Sequence, residues 1–165
     1  MTKLLDFLAS TKIIIASFAI MMIIGAGFSF TPGLVGGELL DMQMNALDAN
    51  TRLSEMSSWH RSNHIWITLL LDTLYPLAYG GFLAGIAARF AKPWRKIAVI
   101  PAFVTIVVDF AENIVQVAAL AGSENILVLK NIITPIKFGG FLFAAILALI
   151  LLLIALAKWT LKKRN

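Results

Sequence analysis

The chain contains no cysteine. A disulfide framework, a thiolate metal site and a cysteine nucleophile are therefore excluded, and nothing about the redox compartment can be read. Charge is the second scarcity. Asp, Glu, Lys and Arg make up 14% of the residues, against about 25% in an ordinary soluble domain. Apolar residues reach 59%, and mean hydropathy is +0.86. That balance excludes a disordered chain, a disulfide mini-protein and an ordinary soluble enzyme. A glycine-rich phosphate loop and a nucleophile elbow around Ser57, Ser58 or Ser62 are also missing. No internal repeat is present, so an inverted-repeat transporter has no support.

What is there is hydrophobic length. Residues 13–30 hold no charged side chain, and neither do residues 138–157. A hydrocarbon core of about 30 Å takes about 20 apolar residues in a helix. A soluble amphipathic helix would place a polar residue every third or fourth position, and these runs do not. Two further stretches, 65–88 and 97–121, are long and apolar but carry acids. The expected fold is all-α, an integral membrane four-helix bundle forming one domain over 1–165. Its spans are expected at 13–30, 65–88, 97–121 and 131–157, with an outer segment at 31–64. A cleaved leader would also show a basic start and small residues such as Gly25 and Gly27 near the cut. The first apolar run is long for a leader, so it is expected to stay as a span.

Basic residues mark the cytoplasmic side of short loops. Ten of the fourteen lie before the first span, between the second and third, or after the fourth. Arg52, Arg61 and Lys130 are the basic residues of the other two loops. Both termini are thus expected in the cytoplasm, in a bacterial-type inner membrane. Trp59 and Trp66 bracket the outer start of the second span, and Trp94 and Trp159 sit at inner ends, as in an aromatic belt. The net charge of +5 is therefore read as topology, not as a nucleic-acid or anionic-lipid site.

Thr31, Pro32, Gly33, Gly36 and Gly37 end the first helix. Residues 38–59 then read as one or two short amphipathic helices lying on the outer surface. Leu40, Met44 and Leu47 follow i, i+4, i+7 spacing, and Asp48 is placed as the cap of a second piece holding Leu53 and Met56.

The informative residues are polar ones inside the spans. Asp72, Asp109, Glu112 and Lys137 each sit where a charge costs about 2.5–3.5 kcal/mol on insertion scales. Thr105, Asp109, Glu112, Asn113 and Gln116 share one face of the third span. Thr68, Asp72, Tyr75 and Tyr79 share one face of the second, and Asn131, Thr134 and Lys137 recur at intervals of three on the fourth. At 1.5 Å per residue, Asp72, Lys137 and Glu112 lie about six to nine residues from the outer ends of their spans. The groups should therefore cluster in the outer half, beneath the outer segment. Pro76 and Pro135 free carbonyls at that level. Gly80, Gly81, Gly139 and Gly140 allow close helix approach just inward of it.

A pocket open outward or sideways and closed toward the cytoplasm is expected, with Asp72, Tyr75, Asp109, Glu112, Asn113 and Lys137 as its ligand-binding residues. Three acids and one lysine do not balance, so at least one of Asp109 and Glu112 should hold a proton, or a cation should bind. A polar network that only pins helices together is the competing reading. Lys137 bonded to both third-span acids, in a pocket filled by its own side chains, would favour it. His60 and His64 are spaced i, i+4, as weak zinc candidates with a third ligand from Asp41 or Glu38. Haem would want histidines deep in facing spans. No cofactor and no metal are expected.

The stretch Leu71–Gly80 (LDTLYPLAYG), then Asp109–Asn113 (DFAEN), then a lysine near the next span's start, resembles uncharacterised small bacterial four-span membrane proteins. The resemblance runs from about Asp41 to Lys137. It implies the fold and the position of the polar cluster. The layout is also similar to four-span sterol-pocket proteins of the emopamil-binding and sigma-2 receptor type, from which no site residue carries over.

Three functions are compatible with this pattern. The first is binding or movement of a small amphiphilic or cationic ligand, with proton exchange. The second is an intramembrane lipid-modifying enzyme using an acid as general acid/base. The third is an accessory subunit of a membrane complex. Membrane lipid, a small amphiphile and membrane subunits are the expected partners, and nucleic acid is not.

Overall fold

The computed structural model describes residues 2–164 and has no strand among them. In chain order the helices are α1 (Thr2–Leu8), α2 (Thr11–Phe28), α3 (Pro32–Val35), α4 (Ala46–Ser54), α5 (Ser58–Ile67), α6 (Thr73–Phe90), α7 (Arg95–Ala98), α8 (Ile100–Leu120) and α9 (Lys130–Arg164). A π-helical turn, Thr68–Asp72, joins α5 to α6 as one rod. Four stretches are long and apolar enough to cross a membrane: Thr11–Phe28, Ser58–Phe90, Arg95–Leu120 and Glu124–Lys163. Ile23, Val107, Ile114 and Phe143 are exposed on them while Glu112, Lys130 and Gln116 are fully buried. This inside-out distribution suits surroundings that are themselves apolar. All four tryptophans are exposed.

The helices do not pack as four equal neighbours. Rod α6 lies against α8 and α9, which also lie against each other, and α2 leans on α6 with little contact to α8 or α9. The result is a three-helix core with a fourth rod on one flank, which leaves a gap between α2 and α9. Gly80 meets Ile106 and Gly140 meets Thr105, but Gly139 faces open space. Thr105 stands against Gly140 in the α8–α9 contact, and its hydroxyl donates to the Pro101 carbonyl within α8 at 2.8 Å.

The end away from the acids is closed by small residues and by α1. Ala84, Ala87, Ala88, Val99 and Ala102 are buried there together with Leu5 of α1. Arg95 pairs with Asp6 of α1 at 2.5 Å, tying α1 down, and Arg89 donates to Thr11 at the start of α2 at 2.7 Å. A Cβ on Gly85 would stand 2.8 Å from the Leu8 carbonyl oxygen, backbone that cannot step aside. Gly85→Val is therefore expected to undock α1. Amide exchange over Thr2–Leu8 should speed up about tenfold, while that of α8 stays unchanged.

The outer segment folds differently from its periodicity. Asn45 is extended and its side chain accepts the Asp48 N–H at 3.0 Å, so Asn45 rather than Asp48 caps α4. The extended residue cuts the i, i+4, i+7 stripe. Leu40 is buried in a 3₁₀ turn (Leu40–Met42), whereas Met44 and Leu47 are exposed. Leu53 and Met56 are buried as expected. Gly36 (φ +72°) ends α3 in the left-handed region that glycine adopts without strain. Arg52 seals the segment from below, donating to the carbonyls of Val35 at 2.7 Å and Glu38 at 2.9 Å.

Candidate functional site

Two local irregularities on the second rod set up the site. The π turn inserts a residue into the helical register, a feature often found at functional positions. The Thr73 hydroxyl donates to the Thr68 carbonyl at 2.9 Å across it. Pro76 lacks an N–H, so the carbonyl of Asp72 has no helical donor. The Asn113 side-chain amide of α8 supplies one at 2.9 Å. The freed carbonyl expected from sequence is thereby satisfied by a neighbouring helix, and the tie holds Asp72 and α8 in register.

A third device brings in a residue from outside the rods. The Nε2 of His64 accepts the Leu40 N–H at 2.9 Å. That nitrogen is then unprotonated, and Nδ1–H faces the Thr68 hydroxyl at 3.1 Å. The 3₁₀ turn is pinned to the rod, and Asp41 points down into the core. Both ring nitrogens of His64 are thus engaged. His60 stands against Gly36 with its ring edge-on to Trp59, so the two histidines do not converge on one point. Of the two histidines His64 is the anchor, while His60 Nδ1 is buried without a hydrogen-bond partner.

The groups meet as two layers. In the deeper layer Glu112 receives Lys130, Lys137 and the Thr134 hydroxyl, all within bonding contact and buried. Lys137 also pairs with Asp41 and stands 3.9 Å from Asp109. In the second layer Asp41, Asp72 and Asp109 each offer a carboxylate oxygen, and these lie within 4.8 Å of one another. The Tyr79 hydroxyl donates to Asp109 Oδ2 at 2.6 Å, while Asp109 Oδ1 is buried without a hydrogen-bond partner. This layer opens on a cavity of about 210 Å³ lined by Asp41, Met42, Asp72, Tyr75, Tyr79, Asp109, Lys137, Phe138 and Phe141.

Charge explains why the layers differ. The cluster holds four carboxylates and two lysines. Burial opposes ionisation of Asp41, but Lys137 beside it outweighs burial and holds the carboxyl below its usual value. Glu112 has both lysines. Asp72 has no ion pair and Asp109 has Lys137 only at 3.9 Å, and each is buried at 5% exposure.

Of the six residues expected to bind a ligand, Asp72, Tyr75, Asp109 and Lys137 line the cavity. Glu112 lies behind them, consumed by its lysines. Asn113 faces the other way, onto a lateral groove with Leu69 and Thr73. Both lysines contact Glu112, whereas Asp72 and Asp109 face the cavity. Lys137 comes near both third-span acids, yet the cavity is not filled by its own side chains. Sequence reasoning missed Lys130 and treated Asp41 only as a helper to zinc. A signal for Lys130 existed: Lys130, Thr134 and Lys137 follow i, i+4, i+7. Asn131, taken into that stripe, instead accepts the Ala46 N–H at 2.8 Å. Asp41 had no local signal, because the turn that carries it is positioned by a hydrogen bond from Leu40 to His64, twenty-four residues on.

Comparison of the chain with protein-family models, curated proteins and solved structures found no match in any of the three.

Proposed function

We propose that this is an integral membrane protein whose four apolar rods cross a bacterial-type inner membrane as a bundle, with both termini cytoplasmic, and that its acid-rich cavity in the outer half binds or moves a small cationic or amphiphilic ligand with proton exchange. The orientation is supported by ten of fourteen basic residues lying at one end. The function is carried by one observation: Asp72 and Asp109 face the cavity, Asp72 with no ion pair and Asp109 with Lys137 only at 3.9 Å and its Oδ1 without a hydrogen-bond partner. A cationic group entering that space replaces the missing partner, and any protons held by the two carboxyls leave as it binds. Charge-assisted contacts of this kind contribute about 1.5–3 kcal/mol each.

The reading is tested with dodecylamine and the full-length protein in lipid nanodiscs. Asp72→Asn with Asp109→Asn should weaken binding about tenfold to a hundredfold. Binding to the wild type should release protons to an indicator dye in weak buffer, and dodecanol should bind neither protein. Equal dodecylamine binding by wild type and double variant would overturn it. An accessory, purely structural role is favoured by a different observation, the ion-paired Glu112–Lys130–Lys137–Thr134 knot. That knot needs no ligand, but it does not extend to Asp72.

A further inference from the structure

We propose that the ligand of the acid cavity is a cation-headed amphiphile whose apolar chain lies in the groove between α2 and α9, entering sideways from the acyl region. This rests on the reading of the cavity as a cation site and adds the chemistry of the rest of the molecule.

The groove begins where the cavity ends. Tyr79 and Phe141 line both. Beyond them a second space of about 290 Å³ has Phe82, Leu83 and Ile86 of α6 as its floor. Met21 of α2 forms one wall, and α9 forms the other with Ala145 and Ala148. The groove exists because α2 leans on α6 alone and because α9 presents alanines there. It is open to the surroundings, with Leu149 56% and Leu152 39% exposed at its rim. Along α9 it runs from Phe141 to Leu152, about 16 Å at 1.5 Å per residue.

Tyr79 joins the two environments. Its hydroxyl donates to Asp109, and its ring meets Phe141 edge-on at 5.1 Å between centroids. One side chain thus marks the boundary between charge and hydrocarbon. Direction matters as well. The acids are at the outer end and the groove runs inward, as head and tail do in an outer-leaflet amphiphile. A phosphate-bearing head does not fit: the cavity's lysine, Lys137, is already paired with Asp41 and Glu112. A head that is cationic only, followed by a chain, meets complementary surfaces along its whole length.

The test localises the chain. Full-length protein in phosphatidylcholine vesicles is mixed with a trace of dodecylamine carrying a diazirine at its chain end, and adducts are mapped after photolysis. Adducts are expected at the inward end of the groove, on Ile86, Leu149 or Leu152, and should vanish in Asp72→Asn with Asp109→Asn. Ala145→Phe, which fills the groove, should cut them about tenfold. Leu149→Trp at the exposed rim should do the same without touching the core, and Ile150→Phe on the opposite face of α9 should change nothing. Acid-dependent adducts spread over all lipid-facing surfaces, or indifferent to both groove variants, would overturn the groove and leave the acid site standing. Absence of acid-dependent dodecylamine binding in the wild type would overturn both.

Discussion

Glu112→Gln is expected to destabilise the protein by about 3–5 kcal/mol, the cost of breaking a buried ion pair from one side. Glu112 is fully buried and shared by Lys130, Lys137 and Thr134. Removing its charge leaves Lys130 as a buried ammonium with no carboxylate in contact, while Lys137 keeps Asp41. The variant should unfold at a clearly lower temperature in detergent. Adding Lys130→Met should recover much of the loss, because a neutral pair of similar volume carries no stranded charge. If the single variant melts like the wild type, Glu112 is not the ionised centre of the cluster. If the double variant is worse than the single, Lys130 has a second partner that the present geometry does not include.

His64→Leu is expected to act on both stability and binding. The Leu40 N–H would lose its acceptor in a buried place, at about 1–3 kcal/mol. The leucine side chain fills similar space, so the loss is electrostatic rather than a cavity. The larger consequence is positional. With the 3₁₀ turn unpinned, Asp41 leaves Lys137, and the ammonium is freed to compensate Asp109, 3.9 Å away. The cavity then carries less negative charge, and dodecylamine binding should weaken although His64 does not line the cavity. Amide exchange at Leu40 reports the local release, and the binding isotherm reports the charge. Fast exchange with unchanged binding would show that Asp41 holds its place without the histidine.

The two variants also separate what could be read along the chain from what could not. Glu112, Asp109 and Gln116 share a helix face by periodicity alone, and that face does turn inward. Pro76 freeing the Asp72 carbonyl followed from backbone chemistry, and the structure supplies its donor in Asn113. Asp41 was not legible in this way. It sits in an irregular segment whose own pattern, Leu40–Met44–Leu47, pointed to a helix that Asn45 interrupts. Its place depends on a hydrogen bond spanning twenty-four residues, and no local rule carries that. By sequence Lys130 reads as a loop residue, because basic residues there normally are topology signals. It is instead the most buried lysine of the cluster.

What the sequence by itself determined is one-dimensional: four rods of the right length and apolarity, a bias of basic residues toward one end, and polar stripes on three rods. These depend on covalent order and helical pitch, so they survive any packing. What only the tertiary structure decided is which charges meet. Pairing energy depends on distances of a few ångströms between separate rods, and a buried ion is neutralised only by contact. Packing therefore assigned both lysines to Glu112, pulled Asp41 inside and left Asp72 and Asp109 facing the cavity. The apolar groove has the same origin, since α2 rests on one neighbour instead of three.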